Sequence, residues 1–240
     1  MKKVLLIITF LPILALLILY YQQDKFQKNP IPSLAKAFLG GILVFILNLA
    51  LVGLINQIWV STSVFYSTFW QAGFPEELSF FIVFMALLWT DNGFRKYKDG
   101  IVFATFMALT FAAFKNIMYI YDWGGNSFLG GDLSSGFPRA VLSIPAHFLF
   151  GVMTGFLFSL AKFSKKSKKI LYLITGLVLA FVFHSLFEWI LLTIPAIDKA
   201  IICVIYVLFI TADILLWIYG RRYFLEKIRE LKAKRSSSAH

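Results

Sequence analysis

The feature that most constrains the fold of this chain is a series of seven apolar runs, each at least 18 residues long. Runs of this length cross a bilayer as helices, because a helix satisfies its backbone hydrogen bonds internally. The composition agrees, since 60% of the residues are hydrophobic and 15% are charged, against about half and about a quarter in soluble domains. The runs cover residues 3–21, 37–58, 65–90, 99–121, 138–162, 169–193 and 197–219.

These runs predict an all-α, polytopic integral membrane protein with about seven transmembrane helices and no separate soluble domain. Residues 1–36 are expected to form an N-terminal helix and a basic loop, residues 37–220 a multi-helix membrane core, and residues 221–240 a basic tail. The first run follows Lys2 and Lys3 and so looks like a signal peptide. It is long, however, and no small-residue cleavage site follows it, which favours a retained helix.

The distribution of basic residues predicts the orientation in the cell membrane. The net charge is +11, which in a soluble protein would suggest a nucleic-acid partner. Here lysine and arginine concentrate in alternate loops, as in the stretch 162–169, and in the C-terminal tail. That pattern is typical of cytoplasmic loops, so we expect no nucleic acid, an outer N-terminus and a cytoplasmic C-terminus. The single cysteine, Cys203, cannot form an internal disulfide.

Ionisable residues inside the apolar runs are costly in a bilayer and therefore mark candidate functional sites. With a rise of about 1.5 Å per residue, Glu76, Lys115, His147 and His184 lie roughly 9 to 16 Å from the predicted outer ends of their spans. Four spans thus bring ionisable groups to a similar level in the outer half of the bilayer, which predicts one site. The polar residues of interest in the runs are Glu76, Glu77, Lys115, Asn116, His147, His184, Glu188 and Asp213.

Several of these residues also have a structural interpretation. A lone histidine in a span often joins helices through a hydrogen bond, and Lys115 could extend towards the interface. Glu188 and Asp213 lie nearer a helix end or on a separate helix, which favours structural roles. The adjacent Glu76 and Glu77 are harder to explain in this way, because two carboxylates in a low dielectric cannot both ionise at small cost. Such pairs are typical of acid–base chemistry.

The residues just before the glutamate pair predict an interruption of the third span. Proline fits the first turn of a helix, and glycine gives flexibility ahead of it, as at Pro75 and Gly73. The segment 67–77 is therefore expected to be a broken helix with a new helix N-terminus at the glutamates. The helix dipole would favour negative charge there.

The polar residues lie in four blocks, which read PEELSFF, GIVFATFMALTFAAFKNIMYI, RAVLSIPAHFLFGVMTGFLFSLA and LVLAFVFHSLFEWILL. Together these blocks resemble the PrsW family of intramembrane proteases, which is related more distantly to the CAAX- and bacteriocin-processing proteases. The resemblance covers roughly residues 70–192. It implies cleavage of a membrane-tethered protein near or within the bilayer, with an anti-sigma factor as a candidate substrate. The family's glutamate pair and motif histidines correspond to Glu76, Glu77, His147 and His184.

The chain departs from the family pattern at three positions. Phe80 replaces the lysine of the first motif, Lys115 replaces the glutamate before Asn116 in the second, and Glu188 keeps an acid where the last often has aspartate. The lysine has in effect moved from the first motif to the second, so Lys115 is predicted to neutralise a carboxylate of the glutamate pair. The exchange also admits a second hypothesis, a catalytically degenerate PrsW-like binding or scaffold protein. A transporter or channel is a third, against which we find no inverted repeat and no matched pair of broken helices.

Peptide hydrolysis needs an activated water, a stabilised oxyanion and a proton for the leaving amine. The sequence hypothesis assigns Glu76 as the general base, with Glu77 sharing its proton or positioning it. His147 would bind the water or polarise the carbonyl, and His184 would stabilise the oxyanion with Asn116 as a further donor.

A metal-dependent version uses the same residues. Glu76, His147 and His184 are a sufficient set of zinc ligands, with water in the fourth position. Because no HExxH spacing exists, such a site would have to be assembled from three helices. Lys115, which in the metal-free version keeps a carboxylate ionised, would oppose a second cation nearby. The sequence therefore favours the metal-free version and leaves zinc as an alternative.

Overall fold

The computed structural model describes residues 31–121 and 133–193, together with a few isolated positions in the first and last apolar runs. All regular structure in this part of the chain is helical, as predicted. The helices described belong to one compact unit that ends at Pro195. They are α1 (Ile31–Ile58), α2 (Phe74–Leu87), α3 (Tyr97–Tyr121), α4 (Leu133–Phe163) and α5 (Lys166–Thr193), and a π-helical segment (Tyr66–Gly73) leads directly into α2.

Four of these helices, α1, α3, α4 and α5, are long and apolar enough to cross a membrane. The π-helical segment and α2 together correspond to the predicted third span. The prediction of a polytopic helical membrane protein is therefore confirmed. The first and seventh apolar runs, and with them Asp213, lie outside the described residues, so the total of seven spans and the orientation stay predictions.

Helix α1 begins at Ile31, ahead of the apolar run predicted to start at residue 37, with Pro32 in its first turn. Its buried residues recur every three or four positions and so form one stripe along the helix. Most of them are small, which lets α1 approach α2 and α3 closely, as small residues do in membrane helix pairs. The stripe consists of Ser33, Ala37, Gly40, Gly41, Val44 and Asn48.

The most extensive helix pair in the described part of the chain is α3 with α4. Gly151 and Gly155 on α4 are spaced four apart, and a Cβ atom on either would lie within 2.7 Å of the α3 backbone. Such a close approach is possible only for glycine, and it is the geometry that small residues at this spacing provide in membranes. The tight pairing fixes the height of His147, one turn before Gly151, relative to Lys115 on α3.

The loop between α2 and α3 is held to the start of α1 by a buried aspartate. Asp91 accepts hydrogen bonds from Ser33 Oγ at 2.5 Å, Lys36 Nζ at 2.6 Å and the Gly93 backbone N–H at 2.7 Å. Burial alone would raise the pKa of Asp91, but these three donors hold that pKa below its usual range. We refer to Asp91, Ser33, Lys36 and Gly93 as the Asp91 latch.

Candidate active site

The interruption predicted before the glutamates is a change of helix type and not a break. The N–H of Phe74 donates to the carbonyl of Phe69, five residues earlier, so the π-helical segment continues into α2. A break would leave backbone groups without partners in a bilayer, whereas an uninterrupted α-helix would set the ring of Pro75 against a carbonyl of the preceding turn. The π-helical turns keep the backbone groups hydrogen-bonded and also avoid the clash with the Pro75 ring. Glu76 and Glu77 lie in the first turn of α2. Because the helix continues through Gly73, the new helix N-terminus predicted at the glutamates is not formed.

Three buried side chains from three helices converge on one point. Oε2 of Glu76 lies 3.3 Å from Nε2 of His184 and 3.6 Å from Nε2 of His147. None of the three residues is more than 3% exposed, and none of these three atoms has a hydrogen-bond partner among the described residues. Buried polar atoms are normally bonded, so three unpartnered atoms facing one another require an explanation.

The opposite nitrogen of each histidine is held by a group that can only accept a hydrogen bond. Nδ1 of His147 lies 2.8 Å from the backbone carbonyl of Ser143, and Nδ1 of His184 lies 2.7 Å from Oε1 of Glu77. A carbonyl and a carboxylate have no proton to donate, so each imidazole carries its proton on Nδ1. A neutral imidazole then presents the lone pair of Nε2 to the convergence point.

Lys115 forms a buried ion pair with Oε1 of Glu76, and its Nζ also lies 3.4 Å from Oε1 of Glu188. The prediction that Lys115 pairs with a carboxylate of the glutamate pair is confirmed. The ammonium is shared between two carboxylates, which weakens the argument that it would repel a metal ion. We refer to Glu76, Glu77, Lys115, His147 and His184 as the Glu–His cluster.

A small cavity lies at the convergence point, with room for about one water molecule or one metal ion. Phe80 lies on its wall, one helical turn after Glu76 and 6% exposed. The position at which the family motif has lysine is therefore part of the site. The other lining residues include Val44, Ala108, Phe111, Phe150, Gly151 and Thr154.

The structure brings together the residues that the sequence placed at one depth. Glu188, for which the sequence favoured a structural role, joins the site through Lys115. Asn116 is buried beside Lys115 but is not among the residues that line the cavity. Ser143 was missed, although its position four residues before His147 puts both on one helix face, and this spacing could have indicated it.

The converging atoms fit a metal ion. Two neutral imidazole nitrogens and one carboxylate oxygen form a ligand set that catalytic zinc sites use, with a fourth position left for water. Ligand atoms about 2.0 to 2.1 Å from a tetrahedral zinc are about 3.3 to 3.4 Å apart, close to the separations of 3.3 and 3.6 Å found here. All three ligand atoms lie within 4.8 Å of one another. The Ser143 and Glu77 contacts are the outer hydrogen bonds that such histidines usually make.

The fold and the site define a polytopic membrane protein with a candidate metal centre for hydrolysis inside the bilayer. A family model described as "PrsW family intramembrane metalloprotease" matches residues 29–214. The chain therefore belongs to the PrsW family and is an intramembrane endopeptidase, as the sequence motifs predicted.

Curated relatives agree with this assignment. The chain is 30% identical to "Protease PrsW" of Clostridioides difficile over 196 residues, which cover 80% of this chain and 81% of the relative. It is 31% identical to "Protease PrsW" of Oceanobacillus iheyensis and 27% identical to that of Bacillus subtilis, each over 75% of this chain and 79% of the relative. No solved structure matches the chain significantly.

Proposed function

We propose that Glu76, His147 and His184 hold one divalent metal ion, with zinc as the best candidate, and that this site hydrolyses a peptide bond of a membrane-tethered protein. The observation that carries the proposal is the convergence of three buried atoms that have no hydrogen-bond partner among the described residues. A bound zinc would supply Lewis acidity towards the peptide carbonyl and would acidify a bound water.

The hydrogen bonds at Nδ1 of the two histidines prepare their Nε2 atoms to bind a metal ion. Ser143 and Glu77 keep the proton of each imidazole on Nδ1, so that both Nε2 lone pairs face the cavity without a tautomer change. Lys115 keeps Glu76 ionised, because a neutral carboxylic acid beside a buried ammonium would leave the ammonium less well paired. The metal-dependent alternative therefore has more support than the metal-free version favoured by the sequence.

The same contacts revise the choice of general base. Glu76 directs Oε1 to Lys115 and Oε2 to the histidines, so both of its oxygens are engaged. Glu77 uses Oε1 to hold His184 and also lines the cavity. We therefore assign Glu77 as the group that accepts the proton of the attacking water and returns it to the leaving amine.

The substrate class follows from the position of the site. The Glu–His cluster is buried among helices that can span a membrane, so the scissile bond has to reach it at bilayer depth. The loop charges favour the outer half of the bilayer. An anti-sigma factor remains the candidate substrate that the family resemblance implies.

The test compares the purified wild type with Glu76→Ala, His147→Ala and a matched control, Thr105→Val. Thr105 is also buried in a span, but its hydroxyl bonds to the carbonyl of Ile101 on its own helix. We expect about one zinc per wild-type and control chain by elemental analysis, and less in the two ligand variants. Cleavage of a single-span reporter by wild type should stop with chelator and return with zinc.

Two results would contradict the proposal. Equal cleavage by the wild type, Glu76→Ala and His147→Ala would remove the site assignment altogether. Cleavage that needs Glu76 but resists chelation, with no bound metal, would restore the metal-free glutamate mechanism.

A further inference from the structure

A second opening lies beside the Glu–His cluster, on the outer surface of the helix bundle. It has a volume of about 450 Å³ and is lined by the π-helical segment, the start of α2 and the middle of α5. Glu77 is the one ionisable residue of its wall, and the other lining residues are apolar. We call this opening the apolar groove. Besides Glu77 its wall is formed by Phe65, Phe69, Trp70, Phe74, Leu78, Leu177, Val178 and Phe181.

The groove opens where α5 separates from α2. Helix α5 packs most extensively against α4, next against the π-helical segment and only lightly against α2. The close contact is at Gly73, where an added Cβ atom would overlap the side chain of Ser185. One turn earlier on α5, Phe181 makes edge-on contacts with Phe69 and Phe74 at 5.9 and 6.2 Å between ring centroids. These contacts form the inner wall, while Phe74 and Val178 remain 36% and 49% exposed on its rim.

Glu77 lines both the groove and the small cavity of the Glu–His cluster. The cavity has room for about one water, so it cannot hold a stretch of polypeptide. A substrate chain must therefore remain in a neighbouring space and present only its scissile bond to the cluster. Glu77 lies in the walls of both, so the groove is adjacent to that point.

The size and chemistry of the groove define its occupant. One turn of α-helix, about 10 Å across and 5.4 Å high, fills roughly 420 Å³, so the groove accepts about one turn of chain and not a whole transmembrane helix. Its wall suits apolar side chains that come from the bilayer.

On the basis of the function proposed above, we propose that the apolar groove binds about four apolar residues of the substrate's transmembrane segment, directly beside the scissile bond. The groove thereby selects substrates whose cleavage site is flanked by an apolar stretch inside the bilayer. Phe69, Phe74, Val178 and Phe181 are the residues that determine which side chains fit.

The test fills the groove without touching the metal ligands. Val178→Trp adds volume at the rim, and Leu171→Trp makes the same kind of change at an exposed position of α5 that is not part of the groove wall. With a single-span reporter that the wild type cleaves, Val178→Trp should raise KM about tenfold or more and leave the zinc content unchanged. Leu171→Trp should match the wild type in both. Wild-type KM in a folded, zinc-loaded Val178→Trp variant would overturn the proposal.

A photocrosslinking experiment tests binding independently of cleavage. A benzophenone amino acid is placed at position 178 or, as the control, at position 171, and the proteins are reconstituted in liposomes with single-span reporters. A crosslink to the reporter's span at position 178 and not at 171 is the expected result. Crosslinks only to lipid at position 178 would overturn the proposal and identify the groove as an acyl-chain site. If no reporter is cleaved but the crosslink at 178 forms, the proposed function fails while the groove assignment stands.

Discussion

The Asp91 latch and the Glu–His cluster are both built around buried carboxylates, yet they differ in whether their buried polar atoms have hydrogen-bond partners. In the latch, three donors from α1 and from the loop between α2 and α3 meet the two oxygens of Asp91. In the cluster, Lys115, Glu77 and Ser143 satisfy the outward-facing atoms, while three inward-facing atoms have no hydrogen-bond partner among the described residues.

This difference distinguishes a structural polar group from a functional one. Burying a carboxylate costs free energy unless donors compensate it, and the latch supplies that compensation completely. In the cluster the compensation stops at the atoms that face the cavity, while the surrounding contacts fix their orientation. A site that must bind a metal ion needs free lone pairs in fixed positions, which is the arrangement found here.

The strongest expected effect is the loss of cleavage when Glu77 is changed to glutamine. In Glu77→Gln the amide oxygen can still accept the His184 Nδ1 hydrogen bond, so the metal should remain bound. Since glutamine cannot accept a proton from water, kcat for the reporter should fall about 10²- to 10⁴-fold. Glu77→Ala should in addition weaken zinc affinity about 10- to 100-fold, because it removes the support of His184.

The matched control for that prediction is Glu188→Gln. It makes the same chemical change at a buried carboxylate that lies 3.4 Å from Lys115 but is not part of the cavity wall. We expect a clearly smaller loss of kcat from it. A Glu77→Gln variant that cleaves at the wild-type rate would exclude Glu77 as the proton acceptor.

An intermediate effect is expected from reversing the motif exchange. Lys115→Glu removes the partner of Glu76 and adds another carboxylate, so cleavage should fall roughly 10- to 100-fold, as for other outer contacts of metal ligands. Adding Phe80→Lys should restore part of it, because residue 80 follows Glu76 by one turn and a lysine there can reach the carboxylate. Reporter cleavage per zinc-loaded chain is the measurement. If the double variant is no better than Lys115→Glu alone, the exchange is not compensatory.

Which residues form the site could be predicted from the sequence, because the depth of a residue in the membrane depends only on its position along its span. The distances of Glu76, Lys115, His147 and His184 from the ends of their spans required only the helical rise. Pairing between Lys115 and the glutamates followed from the apparent move of the lysine from the first motif to the second. The helical class followed from the apolar runs alone.

The orientation of individual atoms could not be predicted in this way. Whether Glu77 supports Glu76 or His184 depends on the rotation of α2 about its axis, which depth does not determine. The π-helical segment was also missed, because a proline and a glycine in a span are equally compatible with a break, a kink or a change of helix type. The apolar groove depends on where α5 separates from α2, which is a property of helix packing.

The smallest effect on cleavage is expected at the latch, where stability should change instead. Asp91→Ala removes a carboxylate that accepts three hydrogen bonds, so the free energy of unfolding should fall by about 2 kcal/mol. Cleavage per folded, zinc-loaded molecule should be unchanged. Because the pKa of Asp91 is lower in the folded state, its stabilisation is present above about pH 4, the usual range of the unfolded carboxyl, and is lost as the pH falls through the folded value.

Thermal unfolding in detergent across pH checks this prediction. The difference in stability between wild type and Asp91→Ala should narrow below about pH 4. Asp91→Asn provides the control, because it keeps an oxygen for Ser33 and Gly93 but loses the charge that pairs with Lys36. It should lose less stability than Asp91→Ala. If Asp91→Ala instead abolished zinc binding in folded protein, the latch would be coupled to the site, and the distinction between the two buried carboxylate groups would fail.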